Sequence, residues 1–308
     1  MNIFKTALPY IISGISVGGQ YALIAIGYTM VYGILRLINF AHGDVFMVAG
    51  LMMVYLAASL PLYLAIPIMI IITVFLGFLI ERVAYRPLRS APRMSVMISA
   101  IGVSYLLQNL ALYITGGLNK NYPSIPWISD QITLFGMETT RVTLITPFLT
   151  IILVVLLVLL INYTKIGMAM RAVSKDFETS QLMGIKINNV ISTTFIIGTF
   201  LAAVGSLLFF TNYPGVVPTS GGMPGLKAFV AAVFGGIGSI PGAVIGAFII
   251  GICESIIKGL DTILIVNGVI SEQIGLATFS DAFTFILLIV ILVFKPTGLF
   301  GEKQTDKV

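Results

Sequence analysis

Long stretches without Asp, Glu, Lys, Arg or His dominate this sequence and restrict what it can fold into. Only 9% of its residues are charged, whereas a soluble domain carries about 25%. Each stretch exceeds the roughly 20 apolar residues that cross a hydrocarbon core about 30 Å thick. We therefore predict an all-α polytopic membrane protein with a single domain over residues 1–308. The charge-free stretches are 6–35, 45–80, 94–119, 142–164, 187–226 and 228–253.

Basic residues indicate on which side of the membrane the loops lie. Segment 82–93 contains four arginines and no acid, and segment 165–186 contains four basic residues and two acids. Such an excess is typical of cytoplasmic loops, so we place both segments in the cytoplasm. The two spans between them, 94–116 and 142–163, are then joined by an outer loop at 117–141. The net charge of +5 reflects this orientation and does not indicate a nucleic-acid partner.

A glycine-rich break interrupts the apolar stretch at 225–260. It reads GGIGSIPG, and its glycines and proline stop a helix. Because the arm before it is too short to span, we predict a re-entrant pair, 225–236 and 241–258, besides about seven full crossings (7–8 transmembrane helices). Irregular backbone at membrane depth is tolerated inside protein or beside a water-filled cavity, which makes the break a candidate gate; a close contact between small helix residues is the alternative. The candidates are Gly235, Gly236, Gly238, Ser239 and Pro241.

A second break, INFAHGD, contains the only histidine of the chain. The run before it would make a helix of about 45 Å, and the run after it only about 24 Å. Three interpretations compete: a metal or catalytic site, for which the ligands are too few; a turn, with Asn39 and Asp44 capping the helices and Gly43 permitting the bend; and a gate, in which the broken helix faces a substrate route. We expect Asp44 to accept hydrogen bonds from free N–H groups at the start of the following helix. The gate candidates here are Asn39, His42, Gly43 and Asp44.

Several activities lack the residues that they need. No G-x-x-x-x-G-K-[ST] phosphate loop occurs, so the chain does not bind ATP in the usual way. One histidine and one cysteine do not make a zinc site. The sequence also lacks a nucleophile–base set that would indicate an enzyme. An ion-coupled carrier would keep acids within the membrane. Asp44 and Glu254 are the candidates, and we expect Glu254 to lie near the outer surface, paired with Lys258.

The predicted cytoplasmic segment GMAMRAVSKDFETSQLMGIKINN, from Gly167 to Asn189, is too long for a plain turn. Val173, Phe177 and Ser180 or Gln181 have helical spacing, Ser174 can cap the start, and Gly184 can close the end in a left-handed conformation. Such a helix suits either the membrane surface or a groove of a soluble partner.

The sequence resembles the integral-membrane permeases of bacterial ABC importers for branched-chain amino acids, the LivH type, over about residues 10–300. The opening GISVGGQYALIAIGYTMVYGILRLINFAHGDVFMVAG, the middle ERVAYRPLR with SAIGVSYLLQN, and the segment MAMRAVSKDFETSQLMGI match that family. GLKAFVAAVFGGIGSIPGAVIGAFIIG and FKPTGLFG match its remainder. One departure is Ser180, where the family commonly has alanine.

The resemblance implies a multi-pass permease of the bacterial cytoplasmic (inner) membrane, which is a transport subunit and not an enzyme. It implies a second permease subunit, LivM-like or an identical copy, two cytoplasmic ATPases that bind ATP and Mg, and an extracytoplasmic solute-binding protein. Segment 165–187 then becomes the coupling loop that docks on an ATPase. The residues expected to couple are Arg171, Val173, Asp176, Phe177, Gln181, Leu182 and Gly184.

The expected substrate is a branched-chain or related neutral amino acid. The spans offer few charged side chains to neutralise a charged solute, namely His42, Asp44 and Glu254. Urea or another small neutral solute of the same permease family is the second candidate, and an ion-coupled secondary carrier is the third.

Overall fold

The computed structural model of the chain describes residues 3–89, 91–134, 137–266 and 275–301. Helices account for most of these residues, and two pairs of short strands lie in the loops. The helices are α1 (Ile3–Leu35), α2 (His42–Ser59), α3 (Leu62–Ile80), α4 (Arg93–Thr115), α5 (Arg141–Tyr163), α6 (Lys165–Lys175), α7 (Phe177–Leu182), α8 (Ile187–Asn212), α9 (Gly222–Gly235), α10 (Ile240–Val266) and α11 (Ser280–Phe294). The strands are β1 (Lys120–Asn121), β2 (Gln131–Leu134), β3 (Met137–Thr140) and β4 (Gly215–Val216).

Eight helical segments among the described residues are long and apolar enough to cross a membrane. The predicted all-α polytopic class is therefore confirmed. The expected spans 94–116 and 142–163 agree with α4 and α5 to within one residue at each end. A π-helical turn at Glu81–Tyr85 and a 3-10 turn at Arg86–Leu88 continue α3.

Helix α1 is the central element, and it packs antiparallel to α10. Glycines make this close approach possible, because a Cβ on Gly14 or Gly18 would lie 2.7 Å from the backbone of Ile252 or Phe248. Helices α2 and α8 are also largely buried, whereas most apolar side chains of α4, α5 and α11 are exposed or only partly buried. In a membrane protein these exposed faces suit lipid contact.

The loops gather at two ends of the molecule, as their charges predict. At one end β1 pairs with β4, with Lys120 opposite Val216. At the other end Arg89 bonds to Glu81 and to Asn188, and so joins the two loops predicted to be cytoplasmic. Below, these are called the outer end and the cytoplasmic end.

The glycine-rich break forms the turn of a helical hairpin between α9 and α10. Helix α10 has 27 residues, or about 40 Å, which is longer than the predicted arm 241–258 and sufficient for a full crossing. The turn packs against the residues that follow α11, where the amides of Leu299 and Phe300 donate to the carbonyls of Phe234 and Gly235, each at 2.9 Å. The hairpin is therefore present, but the structure does not confirm that it is re-entrant.

Candidate functional site

The chain turns back toward the interior after α1. Leu35 and Leu37 lie at the cytoplasmic end, where they line a cleft with Arg89 and Phe177. His42, at the start of α2, lies against Gly27 instead: a Cβ on Gly27 would be 2.1 Å from His42 Nε2. Gly27 precedes the end of α1 by about two turns, so residues 36–41 lead from the cytoplasmic end back to mid-helix depth. Because α1 ends at the cytoplasmic end, it begins at the outer end.

Asp44, in the first turn of α2, is buried and bonds to the middle of α4. Ser104 Oγ donates to Asp44 Oδ2 at 2.5 Å, and Gln108 Nε2 donates to Asp44 Oδ1 at 2.9 Å. Ser104 is at the midpoint of α4, so this carboxylate lies deep in the membrane-spanning part. The predicted cap is wrong: the N-cap residue is Ala41, and the partners of Asp44 are side chains on another helix. Asp44 still lies in the first turn of α2, where the partial positive charge of the helix N-terminus favours an acid.

Asn39 does not cap a helix either. Its side-chain Oδ1 accepts a hydrogen bond from the Tyr85 hydroxyl at 2.8 Å, which ties the break to the π-helical turn after α3. Both residues are buried. The sequence did not identify these partners of Asn39 and Asp44, namely Tyr85, Ser104 and Gln108. A hydroxyl or amide group in an apolar span does not reveal which helix it faces.

His42 is buried between α1 and α8. Its ring lies edge-on to Tyr28 with 5.1 Å between centroids, and its Nε2 has no hydrogen-bond partner among the described residues. Glycines at 27 and 198 make room for the ring. The ring is therefore packed as an aromatic group, and the described residues offer no cluster of metal-ligating side chains around it.

Gly43 brings α2 into contact with the start of α9, which sequence reasoning missed. A Cβ on Gly43 would lie 2.6 Å from the Gly221 carbonyl oxygen, and a Cβ on Gly225 would lie 2.8 Å from the Gly43 Cα. The first turns of two helices thus meet backbone to backbone inside the protein. We call Gly43, Gly221 and Gly225 the glycine contact. The motif SGGMPG (220–225) was its available signal, since it breaks an apolar run as INFAHGD does.

The two helices reach the glycine contact from opposite ends of the molecule. Segment 36–41 comes from the cytoplasmic end, and α2 continues to the outer end. The chain before α9 comes from β4 at the outer end, and α9, with only 14 residues, continues to the turn beside α11. Helix α2 and the shorter α9 thus run in opposite directions from the point where their N-termini meet, and helix N-termini carry partial positive charge.

Aromatic side chains surround this junction. Phe229 of α9 lies 5.9 Å from Tyr28 and 6.4 Å from Phe40 between ring centroids. Phe40 and Phe229 are only partly buried, so each presents an apolar surface beside the glycine contact.

The second group of gate candidates lies elsewhere. Gly236 and Gly238 have φ of 108° and 103°, which allow the tight turn before α10, and Gly238 and Pro241 are exposed. Gly235 is in backbone contact with Gly242 across the hairpin, and Ser239 Oγ accepts from the Gly242 amide at 3.3 Å. These contacts favour the alternative of a close contact between small residues. A gating role for this turn stays a prediction.

Glu254 is buried and is the centre of an ionic cluster; its expected position near the outer surface stays a prediction. Its exposed fraction is 1%, and it accepts hydrogen bonds from Lys227 at 2.8 Å, Lys258 at 2.5 Å and the Tyr21 hydroxyl at 3.0 Å. Lys227 of α9 also pairs with Asp281 of α11 at 2.6 Å. The expected Lys258 pair is present, whereas the buried Lys227 was missing from the predicted set of charges in the spans.

The predicted coupling segment forms two short helices, α6 and α7, and not one. Thr164 and Asp176 cap them, accepting from the amides of Gly167 and Thr179 at 3.1 Å. The expected cap at Ser174 is wrong, since its hydroxyl donates to the Arg171 carbonyl. Gly184 closes α7 with φ of 82°, as predicted.

The coupling candidates divide into an inward and an outward set. Val173 and Ser180 are buried and Phe177 is partly buried, so this face packs on the rest of the chain. Leu182 and Met183 are exposed at 88% and 79%. The other exposed candidates are Arg171, Asp176, Gln181 and Gly184.

The inward face of the segment reaches the first break. Phe177 shares a cleft of about 100 Å³ with Leu35, Leu37, Tyr85, Arg89 and Val96. Tyr85 bonds in turn to Asn39. A displacement of α7 would therefore alter the cleft that Leu37 and Tyr85, the hydrogen-bond partner of Asn39, also line.

Proteins similar to this chain are permease components of transport systems. The family model described as the permease component of branched-chain amino acid transport systems matches residues 10–292. The high-affinity branched-chain amino acid permease proteins BraD of Pseudomonas aeruginosa and LivH of Salmonella typhimurium are 38% and 39% identical, over 98% and 99% of both chains. Among solved structures, a metal-chelate type ABC transporter in an inward-facing conformation aligns at 14% identity with a TM-score of 0.49, over 94% of this chain and 85% of the other. This last likeness is too weak to support an inference.

Proposed function

The chain belongs to the family of permease components of branched-chain amino acid transport systems, and we propose that it forms the membrane route of an ATP-driven importer for leucine, isoleucine, valine or related neutral amino acids. The proposed assembly contains a second permease subunit, two ATPases that bind ATP and Mg, and an extracytoplasmic solute-binding protein. The membrane in question is the bacterial cytoplasmic membrane. The relatives named above support the substrate class.

The glycine contact is the observation that carries this proposal. Two helix ends that meet inside the protein make a barrier that opens when they separate, without unfolding either helix. Once they separate, their N-termini present N–H groups to the carboxylate of an amino acid. Phe40 and Phe229 flank the same point and suit an aliphatic side chain.

Charges near the proposed route also favour a neutral solute. Lys227 and Glu254 pair with each other, and the Asp44 carboxylate is occupied by Ser104 and Gln108. A cationic solute would require one of these buried groups to lose its partner, which is costly.

The coupling route that we propose begins at the exposed end of α7. Leu182 and Met183 would insert into an apolar groove of an ATPase, and ATP binding would shift α7. Phe177 would pass this shift to Leu35 and Leu37 in the shared cleft, and the Tyr85–Asn39 bond would pass it to the break before α2.

Uptake into proteoliposomes tests the proposed function. The chain is reconstituted with its partner permease, the ATPases and the binding protein, and radiolabelled leucine is supplied outside with ATP inside. We expect ATP-dependent leucine uptake that isoleucine and valine compete with and that lysine and urea leave unchanged. Preferential competition by urea would favour the second candidate substrate. Uptake that follows an ion gradient without ATP would contradict the proposal.

Leu182→Asp is expected to weaken association with the ATPases about tenfold or more, because truncation or charging of a central apolar contact typically costs 1–3 kcal/mol or more. Co-purification of the ATPases and substrate-stimulated ATP hydrolysis measure this effect. Leu182 is the informative position because it is exposed, whereas Phe177 lines a cleft within the permease itself.

Leu118→Asp is the matched control for this variant. Leu118 is also an exposed leucine, but it lies in the outer loop. We expect normal ATPase binding for Leu118→Asp. Equal binding by the Leu182 and Leu118 variants would rule out docking through α7.

A further inference from the structure

Three arginines at the cytoplasmic end have no partner among the described residues. Segment 82–93 contains four arginines, of which Arg89 is bound to Glu81. None of the ion pairs or side-chain hydrogen bonds of the described residues includes Arg82, Arg86 or Arg93. Arg82 and Arg93 are exposed, and Arg86 is partly exposed.

Exposed apolar rows on two helices lead directly to these arginines. On α3 and its continuation, Phe75, Leu79 and Val83 are exposed at four-residue spacing, so they share one face with Arg82 and Arg86. On α4, Met94, Ile98, Ile101 and Tyr105 are exposed at spacings of four, three and four residues. Arg93 begins that helix.

The two helices adjoin each other at this point. Ser99 Oγ of α4 donates to the Ala84 carbonyl of the π-helical turn at 3.2 Å. This contact brings the cytoplasmic ends of the two helices together, so the three arginines lie near the same end of both apolar rows. We call the three arginines and the two rows the arginine surface.

We propose that the arginine surface is a binding site for an anionic phospholipid of the inner leaflet. The three guanidinium groups bind the phosphate and the negatively charged headgroup, and the acyl chains lie along the rows that begin with Val83 and Met94. Unpaired guanidinium groups are well suited to phosphate, which they bind through two parallel hydrogen bonds. An apolar face that ends in a cationic edge matches the amphiphilic shape of a lipid better than that of a soluble anion.

The site adjoins the elements that hold the first break. Arg82 and Arg86 flank Tyr85, whose hydroxyl binds Asn39, and Arg89 lies in the same turn-rich segment bound to Glu81. A bound lipid would therefore stabilise the π-helical turn against which the break is anchored.

Lipid binding to the purified full-length chain in an uncharged detergent tests the site directly, without transport. Native mass spectrometry compares phosphatidylglycerol with phosphatidylcholine of the same acyl chains, and inorganic phosphate is the soluble probe. We expect phosphatidylglycerol to bind on the order of tenfold or more tightly than phosphatidylcholine. The triple variant Arg82→Gln, Arg86→Gln, Arg93→Gln should lose this preference.

Two further variants make the result specific. Replacing Lys165, Lys175 and Lys186 by Gln removes the same charge from exposed positions at the same end, and it should keep the preference. Replacing the three arginines by Lys preserves the charges that orient the chain, and it should keep most of the preference. The proposal is overturned if wild type binds both lipids equally, if the lysine-to-glutamine control loses as much as the arginine variant, or if inorganic phosphate competes as well as phosphatidylglycerol.

Discussion

Gly43→Ala is expected to reduce the accumulation of leucine in proteoliposomes by about tenfold or more. The added methyl group meets the Gly221 carbonyl oxygen at 2.6 Å and the Gly225 Cα at 3.1 Å, and both belong to backbone that cannot rotate away. Overpacking of this kind costs about 1–3 kcal/mol, which shifts a two-state equilibrium by about 5- to 150-fold. Because the clash destabilises the closed contact, leucine should also leak faster from preloaded vesicles without ATP.

Gly225→Ala should have the same effect, and Gly222→Ala is its control. A Cβ on Gly225 would lie 2.8 Å from the Gly43 Cα, whereas one on Gly222 meets no atom within 4 Å. The two glycines lie in the first turn of the same helix, so any difference between their variants reports the contact and not the helix. Normal accumulation and normal leak in both Gly43→Ala and Gly225→Ala would show that the glycine contact is not a barrier.

Asp44→Leu is expected to lower ATP-driven uptake by about tenfold or more, while Asp44→Asn keeps most of it. Leucine removes the acceptor of the Ser104 hydroxyl and leaves Gln108 Nε2 only its 3.5 Å contact with Ser104 Oγ, and an unsatisfied buried donor costs about 1–3 kcal/mol. An asparagine oxygen still accepts one of these hydrogen bonds. Uptake is measured for both variants after membrane insertion has been checked.

A compensated variant separates hydrogen bonding from ion coupling. Adding Ser104→Ala and Gln108→Leu to Asp44→Leu removes the unpaired donors, and such joint replacement of partners can be nearly neutral. Partial recovery of uptake is expected. If Asp44→Asn fails as completely as Asp44→Leu, and the triple variant recovers nothing, the carboxylate charge itself is required, as in an ion-coupled carrier.

Several features of this chain were predictable because they depend only on residues that are close together in the sequence. Spans such as 94–116 and 142–163 follow from runs of apolar residues between charges, because hydrocarbon excludes charge irrespective of the neighbouring helices. Gly184 closes a helix in a left-handed conformation, which depends on its own backbone. Both breaks also lie where the sequence predicted them: GGIGSIPG contains glycines and a proline that favour a turn, and INFAHGD is a polar interruption between two apolar runs, where α1 ends at Leu35 and α2 begins at His42.

The partners within those breaks were not predictable from local patterns. Asp44 was expected to cap its own helix, but it bonds to Ser104 and Gln108, about 60 residues away in sequence. Phe177 and Leu182 were both expected to face a partner protein, but Phe177 lines a cleft of the permease, and Leu182 is exposed.

The sequence by itself determined that the chain spans a membrane, where most spans lie, which loops carry the positive charge, and which family it belongs to. Only the tertiary structure decided that Gly43 meets Gly221 and Gly225, and that Lys227 joins Glu254 in a buried cluster. The physical reason is that spans which are apolar on every side have no polar face to indicate their neighbours. In lipid, helices associate through close packing of small residues and a few polar pairs, and these depend on the relative position of whole helices.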